Sequence, residues 1–268
     1  MTKYINIDIE KLIEMHDAGE TITHMAKVLN VSRTTITRRE KALGIFPQEG
    51  YQKSPISCGE KFIPPLDIDE SWALGIIVSD GCLFNSQQKD GTLSKIDVSS
   101  KDETLIDNII NIIPSLHKYL NKSKEQYPFY QARCSNKVLA TRLQHFGIIP
   151  RKSFTIQMKN MDQVKINHFI RGIWDGDGSL SITSRGNNRL ITSFVTASPY
   201  MRKFVYNNIK TVIGNQFTNC IDGKNYYRIA INRQKLVKQF LDWMYEESSE
   251  SNRLDRKYNK YYKFYNKE

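Results

Sequence analysis

Two aspartates in matching surroundings carry the most chemistry in this sequence. Asp80 is the penultimate residue of Ala73-Leu-Gly-Ile-Ile-Val-Ser-Asp-Gly81, and Asp177 the penultimate residue of Ile170-Arg-Gly-Ile-Trp-Asp-Gly-Asp-Gly178. Each nonapeptide reads as the end of a helix stopped by glycine, with Gly81 and Gly178 in the position after the cap. Gly75 and Ser79 lie four apart in one copy and Gly172 and Gly176 in the other. Small residues at that spacing share a helix face, so two such helices can approach backbone to backbone. Packed about a pseudo-twofold axis, they bring Asp80 and Asp177 together at the bottom of the seam. A carboxylate at a helix C-terminus opposes the macrodipole, and two facing each other repel. A divalent cation relieves both penalties, and hard oxygen ligands suit Mg²⁺, or Mn²⁺ in its place. The chemistry such a pair supports is metal-assisted hydrolysis of a phosphodiester, with one acid per repeat matching one cut per nucleic-acid strand.

Composition agrees with that chemistry. The 268 residues carry a net charge of +11, and a polyanion is the natural partner of such a surface. With 40% hydrophobic residues a real core can form. No apolar run approaches a transmembrane span, and no secretory leader is visible, so a membrane surface is the weaker partner. Cys58, Cys82, Cys134 and Cys220 are not spaced as metal pairs and read as reduced thiols, which points to a cytoplasmic, non-secreted protein. The five histidines are scattered, so a nuclease here would work with carboxylates.

The elements that must position the aspartates occur twice, in the same order. After each nonapeptide come two strand-like segments (82–87 and 93–99; 179–184 and 190–196), then a helix (102–113; 199–213). Two more strands follow, ending at 127–134 and 225–231, then a second helix (136–146; 233–245). Each copy closes on a similar tetrad, Pro150-Arg-Lys-Ser153 and Asp255-Arg-Lys-Tyr258. Motif, order and closing element all repeat, so chance is a poor explanation.

Residues 7–43 differ in kind and suggest three short helices. Ile9, Leu12, Ile13 and His16 give helical spacing on the first, and Ile22, Met25, Ala26 and Leu29 on the second. Asn30-Val31-Ser32 reads as a tight turn in which Asn takes the left-handed conformation and Ser32 caps the next helix. The third helix turns Ile36 and Leu43 inward and offers Arg33, Thr34, Thr35, Thr37 and Arg38 outward. This stretch is similar to the helix-turn-helix of repressors and resolvases. That resemblance implies a recognition helix, Ser32 to Leu43, with its N-terminal side chains on base edges in the major groove. Arg39 is either a phosphate contact or a solvated charge, and a three-helix protein-interaction module is the alternative. Residues 47–66 carry Pro, Gly, Ser and Lys without period and read as a linker.

The two nonapeptides resemble the LAGLIDADG signature, and αββαββα repeated twice is the order of that homing-endonuclease family. The resemblance covers residues 67 to 268. It implies an α+β fold of two pseudo-symmetric αββαββα repeats, 67–160 and 161–268, forming a DNA-binding saddle behind the all-α module of residues 1–46. It also implies a monomer that makes a Mg²⁺-dependent staggered break in a long double-stranded DNA site. Metal binding is carried over to Asp80 and Asp177, with the carbonyls of Ser79 and Gly176 as further ligands. Position six of the signature is Asp175 in the second copy and Val78 in the first, but it is not the essential acid. The family places a basic residue near each metal, and Lys152 and Lys257 hold equivalent places in the two closing tetrads. Saddle strands present polar side chains to DNA. Gln131, Arg133, Tyr226 and Arg228 alternate suitably with apolar neighbours, as do Ser181, Thr183 and Arg185, whereas the parity around Asn85 and Lys95 is ambiguous. A transcription regulator derived from such an endonuclease predicts loss of an acid, and both are present. An RNA-splicing maturase would keep them and stays open. An intein is disfavoured, since the residues splicing needs are absent from both ends. Target sequence and host element are not legible.

Overall fold

The computed structural model describes residues 7–18, 20, 22–43, 61–88, 91–121, 128–183, 188–222 and 226–266. The chain divides into two compact units, Met1–Ser57 and Cys58–Glu268.

In the first unit, helices α1 (Ile9–Asp17), α2 (Ile22–Val28) and α3 (Arg33–Ala42) enclose a small core of Leu12, Met25, Ala26 and Ile36. Asn30 adopts a φ of 51°, the left-handed turn its residue type allows. Ser32 Oγ accepts from the Thr35 amide at 3.2 Å and so caps α3. Arg33, Thr34, Thr37 and Arg38 face outward, while Thr35 and Arg39 are half-buried. Leu43, expected inward, stands at the surface instead, as do Ile9 and Ile13 of the helical pattern on α1, each more than a third exposed. So small a unit buries only one stripe of α1, and that stripe runs through Leu12 to His16, whose Nδ1 lies 3.1 Å from the buried Glu40 Oε1. Leu43 falls just past the last turn of α3.

The second unit follows the repeated plan. Its first half is α4 (Ile68–Ser79), β1 (Gly81–Gln88), β2 (Gly91–Ser100), α5 (Glu103–Ile112), β3 (His117–Asn121), β4 (Phe129–Ser135) and α6 (Lys137–His145). Its second half is α7 (Ile166–Gly176), β5 (Ser179–Thr183), β6 (Arg189–Thr196), α8 (Pro199–Ile213), β7 (Thr218–Asp222), β8 (Tyr226–Ile231) and α9 (Gln234–Tyr245). A further helix, α10 (Asp255–Tyr265), holds the second closing tetrad, whereas Lys152 of the first lies in one 3₁₀ turn, Lys152–Phe154. The strands form two antiparallel sheets, ordered β1-β2-β4-β3 and β5-β6-β8-β7. Strand alternation sends Leu83, Ile96, Val98 and Ala132 from one sheet, and Leu190, Phe194, Ile229 and Ile231 from the other, into the core beneath the helices. Each sheet keeps its other face open.

Helices α4 and α7 join the halves. A Cβ added to Gly75 would lie 2.3 Å from Phe169 O, and one added to Gly172 would lie 2.1 Å from Trp72 O. No side chain larger than hydrogen fits at that crossing. Gly81 and Gly178 do follow the C-caps Asp80 and Asp177, but neither has a left-handed backbone. They are glycine for space: a Cβ would fall 2.4 Å from Ile77 O at the first and 2.6 Å from the Trp174 ring at the second.

The stretch read as a linker ends early. Phe62 and Leu66 are buried in the core of the second unit. The Phe62 amide donates to Glu70 Oε1 at 2.8 Å, and Glu70 completes a capping box with Asp67 at the start of α4. Residues 47–60 lie outside the described residues. Since the Gly172 contact is backbone against backbone, Gly172→Val should cost roughly 3 kcal/mol or more in urea unfolding. A variant that unfolds with the wild type would mean that α4 and α7 do not touch.

Candidate active site and nucleic-acid surface

The carboxylates sit where the seam runs out. Asp80 and Asp177 are the C-caps of α4 and α7, with nearly identical backbones (φ −90°, ψ −5°; φ −90°, ψ −13°). At Gly176 a Cβ would meet Ser79 Oγ at 2.0 Å and Asp80 Oδ2 at 3.0 Å, so the contact continues to the level of the acids. The Ser79 hydroxyl turns back to the carbonyls of Gly75 and Ile76, leaving its main chain at the seam's end. Burial and the facing Asp177 raise the Asp80 pKa to about 6. Asp177, more open, is also pushed up by its low-dielectric surroundings.

Two buried lysines stand against this strain. Both lower the pKa of each aspartate by their charge. Lys257 Nζ donates to Trp174 O at 2.5 Å, Asp175 O at 2.8 Å and Gly178 O at 2.5 Å. Those bonds use all three ammonium N–H groups and place a cation where the α7 dipole is negative. Burial brings its pKa down to about 8. Lys152 Nζ donates to Gly81 O at 2.5 Å, its one hydrogen-bond partner among the described residues, which leaves two N–H directions for other groups. Burial lowers its pKa too. The lysines are thus equivalent in place but unequal in commitment.

Beside Asp80 opens a cleft of about 590 Å³ whose walls include Gly176, Asp102 and Arg256. Arg256, neighbour of Lys257 in sequence, donates from Nε to Asp102 Oδ2 at 3.2 Å. Sequence reasoning gave it no role, although its place in the closing tetrad was a signal. The side chain of Asp175 does not join the acids. Fully buried, its Oδ2 accepts from Trp72 Nε1 at 2.9 Å and from the Leu254 amide at 3.0 Å, tying both seam helices to the segment before α10. Nearby, Arg171 donates to Asn252 O and Oδ1, and Asn252 donates to Asp69 Oδ1, a second tie of the same kind.

Among the described residues no three His, Cys, Asp or Glu side chains gather at one point. The donors at the seam's end are the carboxylates of Asp80 and Asp177, beside the main-chain carbonyls that end the two helices. This all-oxygen set suits a hard divalent cation, with the remaining positions left to water or phosphate oxygens. The raised Asp80 pKa is the electrostatic strain that such an ion would relieve.

The open sheet faces hold most of the DNA-contacting side chains expected on the saddle strands. Register puts Asp97 opposite Arg133 and Ser99 opposite Gln131, with Cys82 and Tyr119 on the flanking strands. Lys95 shares this face and Asn85 does not, which settles their parity. In the second sheet, Ser181, Thr183, Tyr226 and Arg228 all belong to the open face. Arg185 lies outside the described residues. Asp97 escaped the sequence reading because an acid is a poor DNA contact by type.

No protein-family model matches the sequence, and no curated protein does. Solved structures do. The structure of meganuclease I-SmaMI bound to uncleaveable DNA with a TTCT central four matches at a TM-score of 0.51 and 11% identity. That match covers 73% of this chain and 89% of that one. The same protein's complex with a TTGT central four matches at 0.50 and 11%, over 75% and 88%. I-SmaMI is a LAGLIDADG homing endonuclease.

The pKa shift makes a stability prediction. A carboxyl with a folded-state pKa near 6, against 3.8 unfolded, binds its proton more tightly in the native state. Its stabilising contribution is complete below about pH 4 and is lost as pH rises through 6. In EDTA, wild-type stability should therefore fall across pH 4 to 6.5 by about 2 kcal/mol more than that of Asp80→Asn, after discounting for partial exposure. Urea unfolding at several pH values reads the difference; parallel curves would place Asp80 in a solvated, unstrained position.

Proposed function

The chain has the LAGLIDADG fold, and we propose that it is a site-specific endonuclease that cuts both strands of a long double-stranded DNA target with Mg²⁺ or Mn²⁺. The observation that carries this reading is the meeting of Asp80 and Asp177 at the ends of two helices in glycine-to-glycine contact, each acid within the field of both Lys152 and Lys257. Asp80, Asp177 and the carbonyls of Ser79 and Gly176 would hold the ion, which when bound stabilises charge on the attacking and leaving oxygens of a phosphodiester. The open face of each sheet lies along one half of the target, in keeping with the net charge of +11. Ser32, Arg33, Thr34, Thr35, Thr37 and Arg38 of the first unit read a further stretch in the major groove, with Arg39 at the backbone. The protein works inside the cell, as a monomer, on DNA. Retention of both acids favours cleavage over a purely regulatory role.

The test is cleavage of a duplex library, with the ends mapped by sequencing. Asp80→Asn and Asp177→Asn should each abolish double-strand breaks while binding survives, because neither acid reads sequence. A single mutant that cuts both strands at the wild-type rate would remove the site.

The lysines should separate in kind. Lys257→Met removes the ammonium from three buried carbonyls, of which Trp174 O keeps the Gly178 amide, and should lower stability by several kcal/mol. Lys152 has N–H groups to offer water or a phosphate oxygen, so Lys152→Met should lose cleavage at saturating enzyme with a smaller loss of stability. Equal melting losses paired with unchanged single-turnover rates would make both lysines structural.

A further inference from the structure

An acid on the open face of the first sheet needs a reason, since that surface is read here as facing a polyanion. We infer that Asp97 positions Arg133 as a guanine-reading residue, and that this reader exists in only one half of the DNA site. The inference rests on the endonuclease reading above and goes beyond it to a particular base.

Geometry fixes how the guanidinium is held. Arg133 Nε donates to Asp97 Oδ2 at 2.8 Å and Nη2 donates to the same oxygen at 2.5 Å. The carboxylate thus takes the side edge of the guanidinium; at its end Nη1 has no hydrogen-bond partner among the described residues, and Nη2 makes one further, long contact of 3.4 Å to Gln131 Oε1 that a base edge would displace. Two parallel donors at that spacing match O6 and N7 of guanine in the major groove, the commonest specific contact of arginine. Asp97 itself is nearly covered, with 10% of its side chain exposed against 44% for Arg133, so the arginine and not the acid meets the nucleic acid.

The surroundings hold the pair in place. Gln131 Nε2 donates to Asp97 Oδ1 at 3.3 Å and to Ser99 Oγ at 3.1 Å, while Gln131 Oε1 accepts from Asn121 Nδ2. The Tyr119 ring lies under the guanidinium, 5.9 Å from centroid to Cζ. A side chain ordered before binding loses less entropy on contact than a free arginine would.

The matching positions of the second sheet lack this pair. In the first, the residue after the motif's final glycine is Cys82, which pairs with Asp97, and Asp97 pairs with Arg133. Following the same steps from Gly178 leads to Ser179, Ser193 and Ala230. The matching positions hold a serine and a buried alanine. Arg133 is also only a few residues along the sheet from Asp80, so the base it reads falls among the inner positions of its half-site.

The experiment selects bound duplexes from a randomised library with the full chain in Ca²⁺, for wild type, Arg133→Lys and Asp97→Asn, and sequences them. Wild type should show one strongly preferred guanine at an inner position of one half. Both variants should lose roughly ten- to a hundred-fold of discrimination at that position and keep their preferences elsewhere. Asp97→Asn should also leave the salt slope of binding to a selected duplex unchanged, an outcome that a general structural defect would not give. If both variants keep the guanine, or if Arg133→Lys weakens all sequences alike with a salt slope lower by about one, the inference is overturned while the endonuclease reading stands. If wild type enriches no sequence, both are overturned together.

Discussion

The contact between Gly75 of α4 and Gly172 of α7 sets the spacing of everything around it. Two helix backbones that meet within the space of one missing methyl group have little freedom to slide or splay. Their C-caps then fall beside each other, and the sheets that begin at the next residues are held on either side. Packing rather than hydrogen bonding supplies the contact, since each backbone is already satisfied along its own helix. Trp72 and Trp174 are both fully buried, the first bonded to Asp175 of the facing helix and the second packed against Phe194 and Phe240. The Asp175 carboxyl then pins α4 and α7 to the final segment through Trp72 and Leu254, leaving its Oδ1 without a partner among the described residues. One unsatisfied lone pair is the cost of a tie that reaches three parts of the chain.

The same seam creates an electrostatic problem and contains much of its answer. Carboxylates at helix C-termini, brought together and partly desolvated, are held above their normal titration range. The fold answers with lysine rather than with distance. Lys257 supplies hydrogen-bond donors to the carbonyls at the end of α7, and Lys152 does part of that work at the start of β1. What is left over is a cleft whose walls carry Asp80, Asp102 and Glu103 together with Lys101 and Arg256. Such a site is poor as a salt bridge and well suited to a cation that brings its own coordination.

How much of this was legible in the sequence differs by element. The paired nonapeptides and the order of helices and strands could be read because a backbone contact demands glycine and a sheet demands alternation, and both are local patterns. The site's acids came with them. Gly81 and Gly178 were located correctly, but the reason lies in the preceding turn's carbonyl and the Trp174 ring rather than in backbone handedness. The start of the second unit was missed because Phe62 and Leu66 are isolated apolar residues whose partners lie far along the chain. Leu43 was misplaced for the opposite reason, and Ile9 and Ile13 stand exposed with it, since periodicity exceeded what a small core can cover. The unequal bonding of the two lysines goes with their different carriers, a 3₁₀ turn for Lys152 and a full helix for Lys257, which the similar tetrads do not record.

A repeated fold within one chain is free to decorate its halves differently, and the limits on that freedom are physical. The glycines and the aspartates face their counterparts across the seam, so a change on one side is felt on the other. Other positions differ between the halves: Asp175 stands where Val78 does, Lys257 makes three bonds where Lys152 makes one, and Asp97 with Arg133 stands where Ser193 and Ala230 do. Symmetry is kept at the Gly75–Gly172 crossing and at the two aspartates, and it is relaxed at Ser79 and Gly176 and on the open sheet faces. A surface arranged in this way suits a target whose two halves differ in sequence but share one geometry at the centre, where the two backbones must present their phosphates to the same pair of acids.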